Sequence, residues 1–295
     1  MPVIETTGTL NLEQILFATD FSEESQVAES YARALAQRFD STLEIVHVFD
    51  SSRTTTYEEG VLAPTDEMRM KMRQGRLAGM QSRLERDGIK TRSMLRPVHP
   101  AAKELLRIME EAGTDLLVVG THSRAGLSRF IIGSTAELLI RQANRPVLTV
   151  GPHARPPQGH ALVFNNIVYA TDFSAQAAKA AVFALSFAED SGAHLYFCHV
   201  VDKEEGSPAE QAAAERAFRG ELKRMVPQDV YDWCSPECVV EHGSAAEGIL
   251  ELAKGVNADL IVLGARKSTF NLTHIERGVT LNVIAGAECP VLTIS

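Results

Sequence analysis

The chain has 295 residues, of which 45% are hydrophobic and 23% charged, with a formal net charge of −9. That length suits two medium α/β domains better than one, and the composition is that of a globular protein able to bury real cores. The acidic balance argues against general nucleic-acid binding, which needs a basic footprint, and no apolar run approaches the roughly 20 residues that cross a bilayer. The opening segment MPVIETTGTLNLEQ has neither a basic nor an apolar signal region. All four cysteines fall in the second half, so no disulfide framework spans the chain. Cytoplasm is the expected compartment, with no nucleic-acid or membrane partner.

In chain order, short apolar runs alternate with longer amphipathic ones. Strands are predicted over 14–19, 43–48, 89–95, 115–119 and 146–150. Helices are predicted over 23–38, 66–86, 101–112 and 134–142. In the second helix Leu77, Met80 and Leu84 form an inward stripe, and Met68 and Met72 are read as core with them. Ser22, and Ser174 further along the chain, stand where helix N-caps belong. The stretch GPHARPPQGH (151–160) is a linker by its Pro and Gly content.

Beyond it the pattern repeats. ILFATDFS (15–22) returns as IVYATDFS (167–174), and LEIVHVFD (43–50) as LYFCHVVD (195–202), both offset by 152. TDLLVVG (114–120) returns as ADLIVLG (258–264), and RPVLTV (145–150) as CPVLTI (289–294), offset by 144. The reading is therefore residues 1–152 as one domain, 153–160 as linker and 161–295 as a second domain. Runs such as LLVVG suit strands buried on both faces, and alternating β and α units imply right-handed crossovers. The fold class is α/β, with two tandem doubly wound five-stranded parallel sheets, Rossmann-like, related by a pseudo-two-fold axis. The last strand of each repeat is an apolar edge, and pairing 146–150 with 289–294 antiparallel would cover both, bringing Leu148 near Leu292.

In such sheets ligands bind beyond the carboxyl ends of the strands, where strand order reverses. Asp20 closes the first strand and Gly120 the fourth. The loop GTHSRAGLSRFIIGST (120–135) leads from Gly120 into a helix beginning at Gly133, Ser134 and Thr135. Glycines allow close backbone approach to a phosphate, and a helix start presents N–H groups and a positive dipole end. Arg124 and Arg129 add charge. The two halves are unequal hosts for such a ligand. Residues 1–150 carry 18 basic against 20 acidic residues, and 151–295 carry 11 against 18.

The repeated ATDFS strand ends, the GLSRF segment and the glycine spacing make the chain resemble the universal stress protein family, twice over. Its ATP-binding members carry G-x2-G-x9-G-[ST] after the fourth strand. Here Gly120 is followed by Ser123 in place of the second glycine, then by nine residues and Gly133-Ser134. The resemblance implies ATP, with Mg2+, in the first domain. Ala18, Thr19 and Asp20 would meet the nucleoside, with Asp20 accepting from the ribose hydroxyls. Val48 would offer backbone groups to adenine. Val119 and Gly120 would border ribose and phosphates, and Ser123, Arg124, Gly133, Ser134 and Thr135 would hold the triphosphate. His99 stands where the family commonly has glycine.

The second domain keeps Asp172 and Gly264, but Lys267, Phe270 and Arg277-Gly278 replace the glycine-bearing positions. A degenerate loop without ATP is expected there. The implied role is a nucleotide-sensing stress regulator, not an enzyme, with slow hydrolysis at most. A nucleotide-independent scaffold and an adenine-nucleotide hydrolase are the alternatives, and a homodimer is a further partner to consider. Cys234, Cys238 and His242 lack an evident fourth ligand, so no metal site is expected. His47 and His199, at equal repeat positions inside strands, read as packed and hydrogen-bonded rather than catalytic.

Overall fold

The structure, a computed structural model, describes residues 10–49, 65–121, 132–157, 162–201, 207–265 and 278–295. The first half runs β1 (Gln14–Ala18), α1 (Glu23–Phe39), β2 (Thr42–Val48), α2 (Asp66–Arg86), β3 (Lys90–Arg96), α3 (Ala101–Glu111), β4 (Leu116–Gly120), α4 (Ser134–Gln142) and β5 (Val147–Val150). The second runs β6 (Asn166–Ala170), α5 (Ala175–Ser191), β7 (His194–Val201), α6 (Pro208–Met225), β8 (Glu237–His242), α7 (Ala245–Gly255), β9 (Leu260–Gly264), α8 (Val279–Gly286) and β10 (Val291–Ile294). Among the described residues no helix is long and apolar enough to cross a membrane.

Each half is a parallel five-stranded sheet, and the two join into one sheet of order β3-β2-β1-β4-β5-β10-β9-β6-β7-β8. The joint is the antiparallel pair β5–β10, with Leu148 opposite Leu292 as the edge argument expects. Both leucines are buried. Strands β4 and β9 are apolar on both faces because helices cover both. Helices α1, α2, α5 and α6 share the core on one face, and α3, α4, α7 and α8 lie on the other. The cores cross the joint. Ala136 and Ile140 of α4 pack into the second half's cluster, and Phe39 of α1 meets Phe187 of α5 edge-on at 6.3 Å. The start of the linker is held by both halves: the Arg155 N–H donates to Glu288 O at 2.9 Å, and the Tyr31 hydroxyl donates to Arg155 O at 2.7 Å.

Repeated side chains perform repeated local tasks. Ser22 and Ser174 cap α1 and α5 as expected, accepting from the Ser25 and Ala177 N–H groups. Asp115 accepts from the Glu13 and Gln14 N–H groups, each at 2.9 Å, and its counterpart Asp259 grips Asn165 and Asn166 in the same way. The repeated aspartate of TDLLVVG and ADLIVLG thus anchors the start of a neighbouring strand.

One expectation is corrected. Leu77 and Leu84 are buried and Met80 partly so, but Met68 and Met72 are 56% and 65% exposed. A helix of 21 residues is about 31 Å long, whereas the seven-residue strands beneath it span about 23 Å. The first turns of α2 overhang the sheet, so a continuous methionine stripe runs out of core to pack against.

Candidate functional site

Strand order reverses between β1 and β4, and the crevice there opens at their carboxyl ends. Thr19 and Asp20 follow β1 directly. Thr19 is buried: its N–H donates to Val46 O at 2.9 Å, and its Oγ1 lies 2.7 Å from Ser25 Oγ. Asp20 is exposed, and its Oδ1 accepts from the Ser22 N–H at 3.0 Å and the Ser22 hydroxyl at 2.6 Å. Phe21 between them takes the left-handed conformation with φ 63°, and Phe173 repeats it with φ 59°. For a non-glycine residue this costs about 1–2 kcal/mol, so neighbouring contacts must hold it.

Those contacts come from β2 and α2. The His47 Nδ1–H donates to the Thr19 carbonyl at 2.7 Å, the tautomer following because a carbonyl only accepts. The His47 ring lies 4.5 Å from that of Phe21 and stacks on Phe49 at 5.7 Å. Arg76 and Arg73 cover the outer faces of Phe21 and Phe49 at 4.3 and 4.4 Å. The second half repeats the grip, with His199 Nδ1–H donating to Thr171 O at 2.8 Å, but Phe218 of α6 supplies the cover in place of arginine. Both histidines are packed and hydrogen-bonded, as read from the repeat.

Burial is the largest cause that pushes the His47 pKa below its ordinary 6.5. The hydrogen bond to Thr19 O opposes that shift, Arg73 and Arg76 add to it, and Asp20 opposes it. Because the folded value is the lower one, the unfolded chain binds more protons just below pH 6.5. The stability that neutral His47 contributes is present above about pH 6.5 and is lost as pH falls. The urea midpoint should therefore drop more between about pH 7.5 and about pH 5.5 in the native protein than in His47→Asn. Equal drops would remove His47 from the account.

Val48 ends β2, half-buried, and Val119 and Gly120 end β4. Gly120 has a structural reason to be glycine: a Cβ there would lie 3.0 Å from Glu24 O and 3.2 Å from Ser25 Cα. At the equivalent Gly264 it would lie 2.5 Å from Ala177 N. Both glycines let the strand end pass close under the first turn of a helix, a need that the loop sequence did not reveal. Across the crevice, α4 begins at Ser134 with Gly133 as its N-cap, and no side chain caps it. Ser134 is exposed and Thr135 half-buried. The matching α8 is also uncapped by side chains; its N-cap is Gly278, so Val279 stands in the place of Ser134 and Thr280 in that of Thr135. His99 is exposed ahead of α3. Ser123 and Arg124, like Arg129, Lys267, Phe270 and Arg277, lie outside the described residues.

The structure thus brings Ala18, Thr19, Asp20, Val48, Val119, Gly120, Gly133, Ser134 and Thr135 to the carboxyl end of one half-sheet. Among the described residues no three His, Cys, Asp or Glu side chains are grouped to hold a metal ion. Cys234 instead points its thiol at Ala193 O, 3.4 Å away.

Together these features define a tandem, Rossmann-like α/β protein with ligand-type crevices at its strand ends. The chain belongs to the universal stress protein family, whose family model matches residues 11–151 and again 164–295. It is similar to universal stress protein MJ0577 of Methanocaldococcus jannaschii, with 24% identity over 153 residues, 47% of this chain and 94% of that protein. It is also similar to the putative universal stress protein SH1215 of Staphylococcus haemolyticus, with 32% identity over 142 residues, 48% of this chain and 86% of that protein. The crystal structure of a universal stress protein from Archaeoglobus fulgidus aligns with 96% of both chains at a TM-score of 0.68 and 20% identity, which speaks for the fold.

Proposed function

We propose that the first half binds one ATP, with Mg2+, and that the protein acts as a nucleotide-sensing stress regulator of the cytoplasm. The observation that carries this reading is the convergence of the Asp20 turn, the end of β2, Gly120 and an α4 start with no side-chain cap on one crevice. A helix start without a side-chain cap favours phosphate oxygens, and the Ser134 and Thr135 hydroxyls add donors. An exposed carboxylate beside it suits ribose hydroxyls. A nucleotide held in this way suits sensing, with slow hydrolysis at most, better than rapid turnover. In the second half Val279 removes the hydroxyl that Ser134 supplies at the helix start, so that half serves as a structural partner without ATP.

One observation favours a second reading, a nucleotide-independent scaffold: packing against α1 alone accounts for glycine at position 120. Acid extraction of the natively purified protein, followed by chromatography of the released nucleotides, separates the two. ATP near one equivalent per chain supports the first. No adenine nucleotide, together with no binding when ATP and Mg2+ are added, supports the scaffold.

A further inference from the structure

A groove of about 650 Å³ runs between the parallel helices α1 and α2 and takes in Thr19, Phe21 and Ser22 of the Asp20 turn, but no residue of α4. Its α2 wall is formed by Gly75 and Gly79, one turn apart. A Cβ at either would meet nothing within 4 Å, so internal packing does not demand glycine there. Glycine inside a helix is less favourable than alanine by about 1 kcal/mol per residue. What the two glycines do is keep the groove wide.

The internal repeat supplies a control. On α1 the groove is lined by Gln26, Glu29, Ser30 and Arg33. The same positions of α5, 152 residues on, are Ala178, Ala181, Val182 and Leu185. Val182 and Leu185 join the core there, as does Phe218 from α6. The fold is satisfied by an apolar face, so the polar one serves something else.

Its charge names the class of ligand. Arg33, Arg76 and Arg83 line the groove against the single carboxylate of Glu29, in a chain whose net charge is −9. Each guanidinium is held in place: Arg83 by Glu29, Arg33 by Asp87 at 3.6 Å, and Arg76 by the Phe21 ring and by its bond to Phe21 O at 3.2 Å. With five donors on each, these contacts leave N–H groups to spare. Arg76 and Arg83 stand seven residues apart, about 10 Å along the helix, and the Ser22 and Ser30 hydroxyls lie on the opposite wall. We propose that this groove is a second binding site, specific to the first half, for a small extended polyanion such as a short phosphate chain.

Titration calorimetry of the full chain with inorganic tripolyphosphate tests this. Three variants assign the signal: Gly79→Leu to fill the groove, Arg76→Gln to remove a charge, and Gly133→Asp to block the α4 start. Position 79 is exposed and leucine is a better helix former than glycine, so Gly79→Leu folds, which its thermal midpoint verifies. The expected result is a binding signal that weakens at least tenfold in Gly79→Leu and Arg76→Gln and persists in Gly133→Asp, which removes only what binds at the α4 start. No binding by the native protein, native-like binding by Gly79→Leu, or complete loss in Gly133→Asp overturns the proposal. ATP binding is measured separately on Gly79→Leu and Gly133→Asp, because Arg76 also holds Phe21 beside Asp20; retention in Gly79→Leu and loss in Gly133→Asp separate the two sites.

Discussion

Gly151→Ala is expected to destabilise both halves together, by about 1–3 kcal/mol or more, in a single unfolding transition. Gly151 follows β5, and a Cβ there would run into the carbonyl oxygen of Ile284 in α8 of the other half. The obstacle is backbone at the end of a packed helix, so it cannot swing aside as a side chain could. The pseudo-symmetric position is Ser295, whose hydroxyl donates to Ala143 O at the end of α4. One crossing is thus bridged by a hydrogen bond while the other leaves room for hydrogen alone. The shared β5–β10 ladder, the α4 residues in the second core and the linker contacts make the halves one cooperative unit. Thermal unfolding followed by circular dichroism reads this as a midpoint lowered by a few degrees with one sigmoid retained. Two separated transitions, or an unchanged midpoint, would show that the seam is not tight.

Asp20→Ala is expected to weaken ATP by one to two decades, and Asp172→Ala to leave it nearly unchanged. A hydrogen bond to a charged acceptor is worth roughly 1.5–3 kcal/mol, and each 1.4 kcal/mol is about tenfold in affinity. The two aspartates have the same backbone setting, each accepting from the N–H of the serine two residues on at 3.0 Å. Any difference between the variants therefore reports the rest of the crevice. The first helical residue at the facing helix start is Ser134 in the first half but Val279 in the second. Isothermal titration of each variant decides it, and equal losses would mean that both halves hold nucleotide.

Much of this was legible because each half states the same pattern. Runs such as LLVVG and LIVLG are strands wherever helices cover both faces, and the repetition of the apolar last strand made the Leu148–Leu292 pairing readable from sequence. Ser22 and Ser174 announced their caps by following the strand end directly. Other features depend on distances that no local pattern encodes. Met68 and Met72 share the spacing of Leu77 and Leu84, and only the relative lengths of α2 and β3 leave them in solvent. Gly120 reads as a phosphate-loop glycine, yet the nearest atoms to its absent Cβ belong to α1. The left-handed Phe21 and its histidine grip had a signal, the paired FS and HV of both repeats, but bulky residues are not where positive φ is sought.

Whether the first half alone holds nucleotide is decided by the stoichiometry of ATP binding. Nucleotide-free full-length protein, titrated with ATP and Mg2+ by calorimetry, should bind about one equivalent per chain, at a site lost in Asp20→Ala and kept in Asp172→Ala. Two equivalent sites, or none, would contradict the account.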